Sequence, residues 1–239
     1  MAKSFPNTGA TVIDTVADLP AASGALEGVM MFQKDTNELK ICDGSSWISM
    51  LDTDVPPAMQ IITPTSVSGT GVTNSAGNVS FSGSSTVSVN GVFSSAFDNY
   101  KLVINMTNNS VNGSLYLRMR TAGTDNSSAN YTFAGLNSYS GSSITSAITS
   151  AGTTAYFIVS NMDTANYSNM PVTFDILQPF LSYRTAYYGF LPNPVSPQSY
   201  FCYVGGAMSV TTSYDGFSIL NGSGGTISGN LRVYGYRNS

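Results

Sequence analysis

The stretch Gly28-Val29-Met30-Met31-Phe32-Gln33-Lys34-Asp35-Thr36-Asn37-Glu38-Leu39-Lys40-Ile41-Cys42-Asp43-Gly44-Ser45-Ser46-Trp47 spells a three-strand meander. Val29 to Gln33 and Glu38 to Cys42 are expected as strands joined by Lys34-Asp35-Thr36-Asn37, and Asp43-Gly44 offers the positive φ of a two-residue hairpin into Ser46 to Met50. About twenty residues with one apolar face bury too little surface to offset chain entropy. The unit must therefore pack on something else, copies of itself included, and an oligomeric β-protein is expected.

Outward from the meander, the chain divides by composition. Residues 1 to 13 show no sustained periodicity, and Pro6-Asn7-Thr8-Gly9 reads as a flexible or docking tail. The meander occupies 14 to 51. Residues 52 to 60 form a hinge, because Pro56 and Pro57 force extended backbone and restrict Val55 before them. From 61 to 239, strand signals recur every 8 to 15 residues with no amphipathic helix between them.

Tyr100, Leu102, Ile104 and Met106 alternate with Lys101, Val103 and Asn105, and Leu115, Leu117 and Met119 alternate with Tyr116, Arg118 and Arg120. Val172, Phe174 and Ile176 stand opposite Thr173 and Asp175, and Ile227, Leu231 and Val233 opposite Asn230, Arg232 and Tyr234. Each strand thus has a core side and a polar side. Tyr156 to Val159 is apolar on both faces and implies a fully covered strand, central in the sandwich or at a subunit interface. Hairpin turns are expected at Asn90-Gly91, Asn112-Gly113, Asp215-Gly216 and Asn221 to Gly225. About ten strands at this spacing predict an all-β chain: a small N-terminal β-meander followed by an antiparallel jelly-roll-like β-sandwich.

Charge and chemistry exclude several classes. Only 9% of residues are charged, against roughly a quarter in an ordinary soluble domain. The net charge is −4, with eight acids and three bases in residues 1 to 60 and five acids and six bases thereafter. No basic run exists to neutralise phosphates, which argues against nucleic-acid binding. No 18-residue apolar run and no signal-peptide pattern is present, so neither membrane insertion nor secretion is expected. Cys42 and Cys202 sit in apolar strand patterns and read as buried free thiols.

There is no histidine, which removes Ser-His-Asp and Cys-His catalysis and the commonest metal ligand. Of the head's carboxylates, Asp98, Asp125, Asp163 and Asp215 sit in turn contexts. Asp175 alone lies mid-strand, as a solvated residue or the partner of a nearby Arg. Asp52 with Asp54, and Asp125 with Asn126 and Ser127, fall short of a calcium ligand set. No enzyme, metal or cofactor is expected.

The positive signal is aromatic. Tyr183, Tyr187, Tyr188, Tyr200, Phe201 and Tyr203 crowd around a loop, Leu191 to Ser199, stiffened by Pro192, Pro194 and Pro197. Preordered loops with tyrosines at their margins suit recognition, although core or interface packing explains the same tyrosines. Tyr139 to Gly152, rich in Ser, Gly and Thr, is a second candidate loop.

Asp18-Leu19-Pro20, Glu27-Gly28-Val29-Met30, Asp35-Thr36-Asn37-Glu38-Leu39 and Asp43-Gly44-Ser45-Ser46-Trp47 together resemble the N-terminal segment of tailed-bacteriophage fibre proteins. Further on, Phe97-Asp98-Asn99-Tyr100-Lys101-Leu102, Leu115 to Arg120 followed by Gly123-Thr124-Asp125-Asn126, and Leu231-Arg232-Val233-Tyr234-Gly235 are similar to phage-type β-sandwich heads. The resemblance implies a homotrimeric virion appendage made in a bacterial cytoplasm. Its tail would dock on other virion proteins through Phe5, Pro6 and Val12, and its meander would trimerise. The head would meet a host-surface receptor, a glycan, through Tyr139, Tyr183, Tyr188, Asn193, Gln198 and Tyr200. A purely structural neck fibre or capsid decoration protein is the alternative.

Overall fold

The computed structural model of the protein describes residues 3–4, 10–13, 15–50, 59–139, 145–162, 170–195 and 198–236. The chain is all-β and forms two compact units that divide between Pro56 and Pro57. The first carries β1 (Lys3–Ser4), β2 (Ala10–Ile13), β3 (Met30–Gln33), β4 (Glu38–Cys42) and β5 (Trp47–Ser49), hydrogen-bonded in that order as one sheet. The second begins with β6 (Met59–Ile62), β7 (Ser66–Ser68), β8 (Val72–Ser75), β9 (Asn78–Ser84), β10 (Thr86–Asn90) and β11 (Asn99–Asn109). It continues with β12 (Gly113–Thr121), β13 (Thr124–Asp125), β14 (Tyr131–Tyr139), β15 (Thr145–Thr154) and β16 (Phe157–Met162). Last come β17 (Met170–Leu177), β18 (Ala186–Val195), β19 (Gln198–Met208), β20 (Gly216–Asn221) and β21 (Ile227–Tyr236).

In the first unit the meander is present, with Gln33 opposite Glu38 and Cys42 opposite Trp47. The second turn differs from the expected two-residue hairpin. Asp43 to Ser46 is a four-residue loop, closed by the Asp43 N–H to the Ser46 carbonyl at 3.0 Å. Only Gly44 there has positive φ, 93°. The Asp43 carboxylate accepts from the Ser45 and Ser46 N–H groups at 2.8 and 2.6 Å. These backbone bonds, with the serine hydroxyls, hold its pKa down at about 2. The sheet also extends beyond the meander: β2 runs parallel to β3, and β1 pairs with β2. The stretch read as a flexible or docking tail without periodicity supplies two strands in its described part, and Ile13 is buried.

The second unit is the expected sandwich. The smaller sheet runs β13-β12-β20-β10-β7, with β16 beside β12, and the larger runs β15-β14-β19-β18-β17-β11-β21-β9-β8, with β6 also on β21. Every pairing in this unit is antiparallel. Tyr100, Leu102, Ile104 and Met106 of β11, with Val172, Phe174 and Ile176 of β17, meet Leu115, Leu117 and Met119 of β12 and Phe217 and Ile219 of β20 in one core. Strands number more than the ten expected, partly because β6, β7, β8 and β13 are only two to four residues long and partly because stretches read as loops, Tyr139 to Gly152 and Leu191 to Ser199, continue as strands in their described parts.

The four Gly turns are real, but they are not hairpins. Asn90-Gly91 leads from β10 in the small sheet to β11 in the large one, and Asn112-Gly113 leads back to β12. Asp215-Gly216 and Asn221 to Gly225 carry the chain into and out of β20 in the same way. These corners carry the chain between the two sheets of the sandwich. The tight hairpins lie elsewhere, at Ala76-Gly77 and Ala122-Gly123, where both central residues have positive φ as a type I′ turn requires.

Tyr156 to Val159 is not central. Strand β16 borders the small sheet, with Phe157 buried against Tyr131 and Tyr187 and Tyr156 stacked on Tyr116 at 3.5 Å; Val159 lies outside the described side chains. Arg120, expected on the polar side, is buried by its partners. Its guanidinium donates to Ser88 Oγ at 3.0 Å, Ser218 Oγ at 2.8 Å and Asn90 Oδ1 at 2.9 Å, and it pairs with Asp125. Cys42 is a buried free thiol.

Candidate functional site

The proline-rich segment is a strand pair and not a loop. Leu191 to Val195 continue β18, and Gln198 and Ser199 open β19, with Asn193 opposite Tyr200 and Pro192 opposite Phe201. Proline is tolerated within a strand only where its missing N–H leaves no broken ladder bond, and here Pro192 and Pro194 alternate along β18. Tyr139 to Gly152 is likewise a strand pair in its described part, since β14 reaches Tyr139 and β15 begins at Thr145. Tyr139 pairs with Tyr200 along the backbone. The side chains of Tyr139, Asn193, Gln198 and Tyr200 lie outside the described residues, as do Phe5, Pro6 and the side chain of Val12. The backbone of Val12 pairs with Lys3 and Phe32.

The described tyrosines separate by strand parity. Tyr187 points into the core, its ring 4.1 Å from that of Phe157 and its hydroxyl donating to the Ile158 carbonyl at 3.0 Å. One step along, Tyr188 points outward. Across the ladder, Phe190 stands opposite Tyr203, and Tyr203 opposite Leu136. Tyr188, Phe190, Tyr203 and Leu136 are 42%, 51%, 49% and 50% exposed. They form a continuous aromatic and aliphatic ridge on the outer face of the large sheet. Tyr183, 62% exposed, lies outside the strands in the connection from β17 to β18.

Beside the ridge is a hollow of about 360 Å³ lined by Lys101, Pro171, Thr173, Asp175, Tyr188, Gly189, Phe190 and Tyr203. On the neighbouring strands, Thr132, Phe133, Ala134, Gly205, Gly206 and Ala207 line a second of about 410 Å³. Gly205 pairs with Tyr188 on one side and Ala134 on the other, so small residues floor the surface next to the rings. The floor is open by choice of residue and not by steric necessity. A Cβ at Gly205 would stand 3.4 Å from the Tyr187 carbonyl oxygen and 3.6 Å from Tyr188 Cβ, ordinary contact distances.

The polar end of the hollow is Asp175. It is buried, and instead of an arginine its partner is Lys101, directly opposite on β11, whose Nζ lies 3.0 Å from Oδ1 and 3.1 Å from Oδ2. The Tyr236 hydroxyl also donates to Asp175 Oδ1. Burial draws the Lys101 pKa down, but the hydrogen bond and charge of Asp175 and the contact with Tyr236 outweigh it, and the net shift is upward. Burial, followed by the hydrogen bond to Asp175, raises the Tyr236 phenol. Lys101 is therefore an ammonium at neutral pH and is neutralised by its neighbour. Among the described residues, Asp175 is the one carboxylate of the lining, and its oxygens are bonded to Lys101 and Tyr236.

Sequence alternation placed Asp175 outward and the tyrosine-rich stretch singled out Tyr188, but neither assembled them with Lys101, Phe190 and Tyr203. That assembly needs the order β11-β17-β18-β19, which no local signal carries. Among the described residues, no group of three or more His, Cys, Asp or Glu side chains gathers as a metal site would require. No known protein-family model matches the chain, and no curated protein matches it.

Proposed function

We propose that the protein is a virion fibre of the tailed-phage type and that its sandwich head attaches the particle to an uncharged glycan on the host surface. The observation that carries this reading is the hollow beside Tyr188, Phe190 and Tyr203. A pyranose ring has an apolar face of C–H groups that lies flat on an aromatic ring, and hydroxyls at its rim that need hydrogen-bonding partners. Tyr188 and Tyr203 supply both a ring and a hydroxyl, and the Thr173 hydroxyl and the Lys101 ammonium supply partners at the end of the hollow. The Lys101–Asp175 pair leaves no net charge there to recruit an acidic sugar. A single carboxylate among the described lining residues, already paired with Lys101, supports binding without hydrolysis, since cleavage of a glycosidic bond calls for two carboxylates across the scissile oxygen. Weak single sites suffice when several heads on one particle bind together.

A second reading is a structural fibre or decoration protein whose ridge contacts another virion protein. Leu136 and Phe190 favour it, because they have no polar handle and suit a protein interface. Fluorescently labelled protein separates the two. An attachment protein labels susceptible bacteria and competes with particle adsorption. Labelling of intact particles, with none of the cells, would establish the structural reading instead.

A further inference from the structure

We propose that the glycan site continues across the large sheet as a row of subsites for an extended, uncharged oligosaccharide, with Tyr234 at one end and Ala134 at the other. The inference rests on the glycan reading of the hollow beside Tyr188 and adds to it the length and direction of the ligand. Register places Tyr234 of β21 opposite Lys101 of β11, Lys101 opposite Asp175 of β17, and Asp175 opposite Tyr188 of β18. Tyr188 is opposite Gly205 of β19, and Gly205 is opposite Ala134 of β14. The chain neighbours of these six, Val233, Leu102, Phe174, Tyr187, Val204 and Phe133, all belong to the core. Because successive residues of a strand point to opposite faces, the six share the outer face in one straight row.

Both hollows lie on this row. Lys101, Asp175 and Tyr188 line the first, and Gly205 and Ala134 line the second, so Tyr188 stands between them. Beyond Lys101 the row reaches a second aromatic ring, the partly exposed Tyr234, and then Ile61 of β6, which is 39% exposed. Neighbouring strands are about 4.8 Å apart, so the row from Tyr234 to Ala134 measures about 24 Å. One strand spacing is close to the advance per sugar of an extended pyranose chain. A chain laid along the row would stack on Tyr234 and Tyr188 and meet a polar step between them.

The same geometry selects a glycan over other polymers. Each strand from β21 to β14 is paired on both sides, so its backbone N–H and C=O groups are used in the ladder. A peptide laid across them cannot add a strand, which needs a free edge. Recognition is left to side chains, with ring faces for the C–H surface of a sugar and polar groups for its hydroxyls. An acidic polymer would need free positive charge, whereas the cation of the row, Lys101, has its Nζ 3.0 Å from Asp175 Oδ1. Nζ also lies 5.9 Å from the centroid of the Tyr236 ring, whose hydroxyl donates to Asp175. The ion pair is thereby held within the row as a neutral polar step. Arg232, which is exposed, belongs to the next row, opposite Val103.

The test is titration calorimetry of the full chain with neutral oligosaccharides released from the surface of a susceptible host and fractionated by length. Affinity should rise about tenfold or more between a disaccharide and a hexasaccharide and then level off. Tyr234→Ala, and Ala134→Gln, which fills the second hollow from an exposed position, should each remove most of that gain by weakening the long ligands. Tyr188→Ala should weaken ligands of every length. Should Tyr234→Ala fail to fold, Ala134→Gln decides the outcome by itself. Tyr188-dependent binding with one affinity at all lengths, or a length gain that survives the end variants, overturns the row and leaves the single hollow as the site. Binding at no length overturns the row together with the glycan reading. Binding of acidic oligosaccharides alone, lost in Arg232→Ala, overturns it as well.

Discussion

At the level of single residues, buried polar side chains separate what pattern reveals from what it does not. Alternation places Leu115, Leu117 and Met119 in the core and Arg120 outside it, and only the last assignment fails. Arg120 is buried because Ser88 and Ser218 arrive on adjacent strands from 32 and 98 residues away, and no local periodicity encodes such partners. Tyr131 is a second case. Its ring is fully buried, its hydroxyl accepts from the Met119 N–H at 3.0 Å and donates to the Asn126 carbonyl at 2.8 Å, and Asn126 Nδ2 in turn donates to the Tyr214 hydroxyl at 2.7 Å. Tyr131→Phe keeps the ring and strands the buried Met119 N–H. Chemical denaturation should therefore show a loss of about 1–3 kcal/mol. An unchanged midpoint would mean that the hydroxyl adds nothing to the bonds around it.

Among the elements, the strands were legible and their partners were not. The apolar residues of the alternating runs in β11, β12, β17 and β21 lie on the core face as read, because a period of two is a property of the strand alone, whereas the burial of Arg120 and Asp175 on the opposite face was not legible. The Asx-Gly dipeptides were legible as turns, but whether a turn folds a hairpin or switches sheets is decided by where the next strand finds room in the core. Ala76-Gly77 and Ala122-Gly123 went unread because alanine seldom accepts positive φ. Gly216 shows how tight a corner is. A Cβ there would stand 2.2 Å from the Val89 carbonyl oxygen on the paired strand β10. Gly216→Ala must push β20 from β10, and thermal melting should register about 1–3 kcal/mol of destabilisation or more. A variant that melts with the wild type would show that the ladder shifts at no cost.

For the molecule as a whole, the abundance of tyrosine sets the response to alkali. Burial is the main cause that raises the phenols of Tyr100, Tyr131 and Tyr214, and it pushes Tyr116, stacked on Tyr156, up to about 12. A folded-state pKa above the unfolded value near 10 means that the native chain holds its phenolic protons longer than the unfolded chain. The resulting stability is complete below about pH 10 and is lost as pH rises through the raised values. Melting temperature measured against pH should thus be level into mild alkali and then fall, with tyrosinate absorbance appearing as the head unfolds. Tyrosinate that appeared in full while the head stayed folded would contradict the burial assigned to these rings.

The candidate site is the part least legible in the sequence. Tyr188 was readable as a recognition residue, but its partners Lys101, Phe190 and Tyr203 meet it only through the order of strands in the large sheet. The most direct test of the account is isothermal titration of the purified chain with neutral oligosaccharides from the surface of a susceptible host, alongside Tyr188→Ala, Tyr203→Ala and Gly205→Val. The account predicts binding by the wild type and a loss of more than 1 kcal/mol for each aromatic truncation. It also predicts weakened binding in Gly205→Val, which crowds Tyr188 from the paired position on β19, with melting temperatures close to the wild type. Glycan binding that survives all three substitutions would contradict it, because the outer face of the large sheet would then not be the surface that meets the host.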